Sequence, residues 1–156
     1  MTTTAARLRR IHPGWILIVL DVIGLAIASY LSVVELGGGV PYCGPLRGCE
    51  TVAASEYAWI GPLPVAVYGV FLSVILLVLA IAWVRTDMPA LLDVHYGLSL
   101  VGVIFEVYFL ALQVLVIHAV CIWCTLYGVS LILRFGVAMT IWLRRGRLSA
   151  RLRQGE

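Results

Sequence analysis

Four long apolar segments dominate the hydrophobic pattern of the chain. They run from Gly14 to Leu36, from Pro62 to Val84, from Tyr96 to Ile117 and from Ala119 to Leu143. Because a bilayer core of about 30 Å is crossed by roughly 20 apolar residues in a helix, each segment is long enough to span a membrane. The pattern therefore predicts an all-α membrane protein in which residues 1–156 form a single four-helix transmembrane bundle.

The connections between these predicted spans differ greatly in length. Only a few residues near His118 separate spans three and four, so we expect those two helices to form a tight antiparallel hairpin. The polar stretch Arg85 to His95 contains Pro89, which is expected to break any continuous helix between spans two and three. The long connection is the loop 37–61, whose glycines and prolines predict irregular backbone, with a short helix at about Glu50 to Ala58.

Composition and charge support a membrane protein and predict its orientation. Hydrophobic residues make up 62% of the chain and charged residues 12%, outside the usual balance of a soluble domain. The basic residues are all arginines, most of which precede span one or follow span four, whereas the long loop contains only Arg47. Since short arginine-rich segments stay in the cytoplasm, we expect both termini there and the loop on the extracytoplasmic face. Basic ends on an apolar bundle indicate anchoring to anionic lipid rather than nucleic-acid binding.

Four cysteines form two close pairs, Cys43 with Cys49 and Cys121 with Cys124. The predicted orientation brings both pairs to the outer, oxidising face, where they could be structural disulfides, two exchanging redox pairs or one metal site. Zinc sites favour two to four residues between paired thiols, whereas five separate Cys43 from Cys49. Covalent haem attachment requires a histidine after the second cysteine of CxxC, where Thr125 stands. No metal or haem is therefore expected, while a structural disulfide remains open for the loop pair.

The Cys121-Ile122-Trp123-Cys124 motif is better suited to redox cycling than to a structural role. A disulfide across two residues closes a very small loop and removes little entropy from the unfolded chain. In the first turn of span four, Cys121 would lie at the positive end of the helix dipole, which favours the thiolate. Cys124, one turn deeper, would face the acyl chains, in which a lipophilic electron acceptor dissolves.

On these landmarks the chain resembles the vitamin K epoxide reductase (VKOR) family, whose microbial members are membrane enzymes that oxidise thiols and reduce quinones. The resemblance covers nearly the whole chain. The related DsbB-type enzymes carry a CxxC in their first loop, whereas this loop has five residues between its cysteines. The matching features are Cys43 and Cys49 in the first loop, Ser55, the Gly61-Pro62-Leu63-Pro64 entry to span two, and Cys121 and Cys124 at the start of span four.

The resemblance implies a route for electrons through the four cysteines. Cys43 would take electrons from a separate thioredoxin-fold, DsbA-like partner that is oxidised in return. Cys49 would relay them to Cys121 through a transient disulfide, and Cys124 would face the quinone, either ubiquinone or menaquinone. Ser55 corresponds to a serine that hydrogen-bonds a carbonyl of the quinone ring, although an ordinary helix-surface serine is the alternative.

Two departures from the family limit the activities that the resemblance implies. Vertebrate members use an asparagine and a tyrosine near the naphthoquinone, but this chain contains no asparagine, and Tyr127 lies three rather than four residues beyond the last cysteine. We therefore expect quinone reduction without epoxide reduction. A chain without asparagine cannot carry N-linked sugar, which agrees with a prokaryotic plasma membrane.

Aromatic residues near the outer ends of the predicted spans are candidates for the quinone pocket. Phe105 and Phe109 lie four residues apart and share one face of span three. Tyr127 and Trp59 are further candidates, although plain helix packing or an interfacial aromatic belt would explain these side chains equally well. His118 is either a proton shuttle close to the CxxC or, more simply, an exposed turn residue.

Three ionisable residues fall inside the predicted spans: Asp21, Glu106 and Arg134. Such residues are costly in lipid unless they are paired or functional. At about 1.5 Å of rise per residue they fall in one layer, so we expect Arg134 to bridge Asp21 and Glu106. A proton path to the cytoplasm is the alternative role.

Two classes of function follow from the sequence. The first is an oxidoreductase that passes electrons from an oxidant of secreted proteins to a membrane quinone. The second is a non-catalytic four-span scaffold or subunit whose loops are held by structural disulfides.

Overall fold

The computed structural model of the chain describes residues 13–44 and 48–154, with side chains described as far as residue 147. The arginines before span one, and Arg47 of the loop, lie outside the described residues. In chain order the helices are α1 (Gly14–Leu36), α2 (Gly48–Ala53), α3 (Val65–Thr86), α4 (Pro89–Leu112) and α5 (Ile122–Gln154). Within the described residues, α1, α3, α4 and α5 provide four segments long and apolar enough to cross a membrane. The predicted fold class is confirmed, and the chain is a multi-pass membrane protein.

The second span begins at Val65 instead of at the predicted Pro62. The residues before it form a small hairpin, in which β1 (Trp59–Ile60) pairs antiparallel with β2 (Leu63–Pro64). Gly61 adopts a φ of 63°, the left-handed conformation that a two-residue hairpin turn requires. Because the hairpin uses the first apolar residues of the predicted span, the helix starts later than the hydrophobic pattern indicates.

The third span begins at Pro89, well before the predicted Tyr96. The predicted break in the helix near Pro89 is confirmed, since α3 ends at Thr86 and Pro89 occupies the first turn of α4, where its missing N–H would have no partner. The chain turns at Asp87, whose φ of 54° ends α3 while its N–H donates to the Trp83 carbonyl oxygen over 2.8 Å.

The fourth span begins at Ile122 instead of at the predicted Ala119. One π-helical turn, Gln113–Ile117, extends α4 before the chain reverses at His118, whose φ is 54°. The antiparallel hairpin of spans three and four is nevertheless confirmed, since α4 and α5 pack against each other. Beyond the predicted Leu143, α5 continues to Gln154 through a segment rich in arginine, a strong helix former.

The four long helices form a ring in which α1 packs against α3 and α5, and α4 packs against the same two helices. A cluster of buried apolar side chains closes the end of the ring away from the long loop; it contains Leu17, Ala80, Trp83, Leu92, Ala138 and Ile141. At the loop end, the predicted short helix occurs in two parts, α2 and a 3-10 turn at Glu56–Ala58. The apolar cluster therefore leaves the loop end of the bundle free to hold a site.

Candidate active site

Cys121 occupies the capping position immediately before α5. The backbone N–H of Cys124 donates to the Cys121 sulfur over 3.3 Å, as an N–H of the first helical turn donates to the oxygen of a capping serine. The Cys121 carbonyl oxygen accepts from both the N–H and the hydroxyl of Thr125, each over 3.0 Å. The sequence predicts Cys121 in the first turn of the helix. In the structure it lies one residue before the helix, so its sulfur can accept from the N–H groups of that first turn.

The surroundings of Cys121 lower the pKa of its thiol. The strongest cause is the hydrogen bond from the Cys124 side chain, and the backbone N–H groups of Cys124 and Trp123 act in the same direction. Burial and the negative charge of Glu35 oppose them, but the net direction is downward. A lowered pKa gives more thiolate at neutral pH, and the thiolate is the form that attacks disulfides. Cys121 is thus the activated member of the CxxC pair.

Gln113 supports the turn that carries Cys121. Its side-chain Oε1 accepts the backbone N–H of Cys121 over 2.8 Å, and its carbonyl oxygen accepts the N–H of Ala119 over 3.0 Å. Its side chain is buried at the end of α4. Sequence reasoning missed Gln113, although a polar amide within an otherwise apolar segment just before the CxxC was an available signal.

The loop pair is oxidised: Cys43 and Cys49 form a disulfide, with Cα atoms 5.8 Å apart. Cys121 and Cys124 are free thiols. Gly48 lies directly against the backbone of Val120, so closely that a Cβ at Gly48 would overlap the Val120 carbonyl oxygen. Cys49 follows Gly48 and Cys121 follows Val120. This backbone contact therefore brings together the two segments that carry one buried cysteine of each pair.

Aromatic residues hold the segment before Cys43 against the bundle. The Trp123 indole N–H donates to the Tyr42 carbonyl oxygen over 2.9 Å. The ring of Trp123 also packs against Tyr30 of α1, with centroids 4.7 Å apart, and the Tyr42 N–H donates to the Tyr30 hydroxyl over 3.4 Å. The tryptophan inside the CxxC motif therefore connects the loop to α1 and α5.

A partly open cavity of about 540 Å³ lies beside Cys124, lined by residues of the four long helices and of the loop. Of the residues that the sequence predicts for a quinone pocket, Ser55, Phe105, Phe109 and Tyr127 all line it. Trp59 is not in its wall and stands in the hairpin opposite Pro64. The wall is mostly apolar, which suits a lipophilic ring.

His118 lies away from this cavity. It is exposed and lines a second, more open depression of about 530 Å³, together with Gly48 and Val120. This position agrees with the alternative of an exposed turn residue.

Two hydroxyl groups in the cavity wall are held by backbone carbonyls. The Tyr127 hydroxyl donates to the Gly69 carbonyl oxygen of α3 over 3.0 Å and lies 3.3 Å from the Ser73 hydroxyl. The Ser55 hydroxyl donates to the Val52 carbonyl oxygen over 2.7 Å, which leaves the lone pairs of its oxygen available as acceptors.

Below the cavity, Arg134 of α5 is fully buried in a polar cluster. Its guanidinium donates to the Ser130 hydroxyl over 2.8 Å, to the Ser73 hydroxyl over 3.4 Å and to the Asp21 carboxylate over 3.5 Å. The other Asp21 oxygen lies 3.2 Å from His95 Nε2. The expected contact between Arg134 and Asp21 is confirmed, and His95 is a member that sequence reasoning missed.

The expectation that Arg134 also bridges Glu106 was wrong. Glu106 lies against Gly128, where a Cβ would be 2.7 Å from its Oε1, and it lines the cavity instead of the Arg134 cluster. Residue counting fixes depth only relative to the ends of a helix, and α4 begins earlier than the sequence pattern indicates. The position of α4 against α5 therefore separates two residues that the count places in one layer.

Comparison with known proteins identifies the family of the chain. The model of the vitamin K epoxide reductase family matches residues 15–139, which contain both cysteine pairs and the greater part of each of the four long apolar segments. None of the curated proteins matches the chain.

Proposed function

Because this chain belongs to the vitamin K epoxide reductase family, whose members are membrane redox enzymes, we propose that it oxidises protein thiols and passes the electrons to a membrane quinone. The observation that carries the proposal is the cavity of about 540 Å³ whose wall contains Cys124, a thiol of the CxxC pair. Such a cavity lets the reducing thiol meet an apolar ring that enters from the lipid.

The first stage is the oxidation of a protein substrate by the loop disulfide. A thiolate of the reduced substrate attacks Cys43, which forms a mixed disulfide and releases the Cys49 thiolate. The second thiol of the substrate then attacks the mixed disulfide, so that the substrate leaves oxidised and Cys43 leaves reduced. Two electrons now reside on the loop pair.

The second stage transfers those electrons across the contact between Gly48 and Val120. The Cys49 thiolate attacks Cys121 of an oxidised CxxC and releases Cys124, and Cys43 then attacks Cys49 to regenerate the loop disulfide. The products are a Cys43–Cys49 disulfide and free thiols at Cys121 and Cys124.

The final stage takes place in the cavity. A bound quinone would supply an acceptor of two electrons and two protons, and Cys121 and Cys124 form a disulfide as they lose those electrons. Phe105 and Phe109 offer apolar surface to the ring. The Ser55 hydroxyl would donate to a quinone carbonyl by turning away from the Val52 carbonyl oxygen that now accepts it. Ubiquinone and menaquinone are the candidate acceptors.

The setting of the reaction is part of the same proposal. Both termini would be cytoplasmic in a prokaryotic plasma membrane, and the loop would face outward. The electron donor would be a separate thioredoxin-fold, DsbA-like protein that oxidises secreted proteins.

The test is thiol-dependent quinone reduction by the purified protein in lipid nanodiscs, with a reduced thioredoxin-fold substrate. Cys124→Ala should abolish quinone reduction while the protein remains folded. Cys43→Ala should lose the reaction with the protein substrate yet keep it with a small dithiol that reduces the CxxC pair directly. A wild-type protein that binds a thioredoxin-fold partner but reduces no quinone would support the scaffold alternative and refute the proposal.

A further inference from the structure

Two carboxyl groups line the cavity beside Cys124, and the electron route described above uses neither. Glu35 stands at the end of α1 that carries the long loop. Glu106 stands inside α4, where it is 9% exposed, and its Oε1 is buried without a hydrogen-bond partner. An acidic side chain at this depth needs a physical explanation, because a carboxylate is among the costliest groups to bury in a membrane.

Glu106 takes part in none of the ion pairs found among the described residues. The buried cation Arg134 is engaged by Asp21, Ser73 and Ser130. Burying a carboxylate without a cation costs several kcal/mol, so these surroundings favour the neutral acid. Glu106 can therefore carry a proton next to the cavity.

The proton is held close to the reducing thiol. The Glu106 side chain lies on Gly128, which follows Cys124 by four residues in α5. Residues four apart in a helix share one face, so the carboxyl lies one turn below Cys124 on the side of α5 that faces the cavity. Because Gly128 has no side chain, the Glu106 carboxyl has room to lie against it.

We propose that Glu106 is the proton donor to the quinone that is reduced in this cavity, an assignment that rests on the proposed function. Oxidation of a Cys121 thiolate and a Cys124 thiol to a disulfide releases two electrons and one proton. Quinol formation takes up two electrons and two protons. Glu106 supplies the second proton, becomes a carboxylate and takes up a proton from water at the loop end before the next turnover.

The groups around Glu106 fit this role. Other titratable side chains of the cavity wall come from α1, the loop, α3 and α5; they are Glu35, Tyr57, Tyr68, Cys124 and Tyr127. The guanidinium carbon of Arg134 lies over the Tyr127 ring, 5.5 Å from the ring centroid. Glu35 is half-buried near the loop end of the same cavity, which places a second carboxyl between Glu106 and the outer water.

The test compares Glu106→Gln, which keeps the shape and removes the acid, with Asp93→Asn, an exposed position on the same helix. In the reduced protein without quinone, and in a Glu35→Gln background that removes the other carboxyl of the cavity, the infrared band of a protonated carboxyl should be present with native Glu106 and in Asp93→Asn and be lost in Glu106→Gln. With quinone, Glu106→Gln should lower kcat by about 10²–10⁴-fold, the usual contribution of a general acid, with the quinone KM little changed. Glu106→Asp should recover part of the rate.

The possible outcomes separate this role from the proposed function. A wild type that reduces quinone, with a Glu106→Gln variant of equal kcat or an unchanged carboxyl band, would overturn the role of Glu106 alone. A wild type that reduces no quinone would overturn the proposed function and this role together. If Glu106→Gln fails to fold, a Glu106→Asp variant with a reduced but measurable kcat and a shifted carboxyl band would support the role, and one with neither change would overturn it.

Discussion

The amide oxygen of Gln113 accepts the backbone N–H of Cys121 over 2.8 Å, so a side chain of the π-helical turn after α4 fixes the backbone of the thiol that precedes α5. Both residues are buried, and Cys121 lies where four helical N–H groups would otherwise face the site. The position of the thiol is therefore set from outside its own helix.

Replacing Gln113 by leucine should impair the protein in two measurable ways. Leaving the buried Cys121 N–H without an acceptor should lower the free energy of unfolding by about 1–3 kcal/mol. It should also slow exchange between the loop pair and Cys121, measured as the rate at which a reduced loop pair reduces the CxxC disulfide. Gln113→Glu, which keeps an acceptor, is the matched control; equal loss in both variants would contradict a role for the hydrogen bond.

The pH dependence of thiol alkylation should show the activation of Cys121. A lowered pKa means that the thiolate forms at lower pH, so Cys121 should react with a midpoint below the value of about 8.5 for a free cysteine. Cys124→Ala removes the largest cause of the shift and should move the midpoint upward. Alkylation followed by mass spectrometry, in a protein that lacks Cys43 and Cys49, measures both midpoints; an unchanged midpoint in Cys124→Ala would refute the stated cause.

Gly48→Ala should disturb the meeting of the two cysteine pairs. The Cβ would overlap the Val120 carbonyl oxygen, which is backbone and cannot rotate away, so the loop must shift at a cost of about 1–3 kcal/mol. In a protein that lacks Cys43 and Cys124, the yield of a Cys49–Cys121 disulfide should fall. Gly97→Ala is the control, because nothing lies within 4 Å of a Cβ there; equal yields in the two variants would show that the contact is not needed.

Arg134→Glu should destabilise the bundle strongly. It removes the cation from Asp21 and buries a second carboxylate beside it, and breaking a buried pair costs about 3–5 kcal/mol. The loss should appear as a lower midpoint of thermal unfolding in detergent, while Arg144→Glu at an exposed position should change little. Adding Asp21→Arg should restore stability in part, whereas adding Glu106→Arg should not, since Glu106 does not contact Arg134; rescue by Glu106→Arg would contradict the structure.

The hydrophobic pattern was sufficient to predict the number of spans because apolar length is a local property. It failed to predict the residues at which the spans begin, because local backbone geometry sets those positions. The break between α3 and α4 falls near Pro89 as predicted, but α4 begins at Pro89 itself, well before the predicted Tyr96, because the chain turns at Asp87. The apolar Leu63 likewise reads as helical, but it pairs with Ile60 in a hairpin.

The sequence by itself determined the membrane-spanning class and the four cysteines, because hydropathy and the chemistry of a CxxC motif depend on residue types and short spacings. Only the tertiary structure decided which polar side chains meet. Glu106, Gln113 and Arg134 are each isolated among apolar residues in the sequence, and packing of the helices assigns them to the cavity, to Cys121 and to Asp21 respectively. The physical reason is that contacts between helices depend on rotation and axial offset, and neither is encoded in the residues of one helix alone.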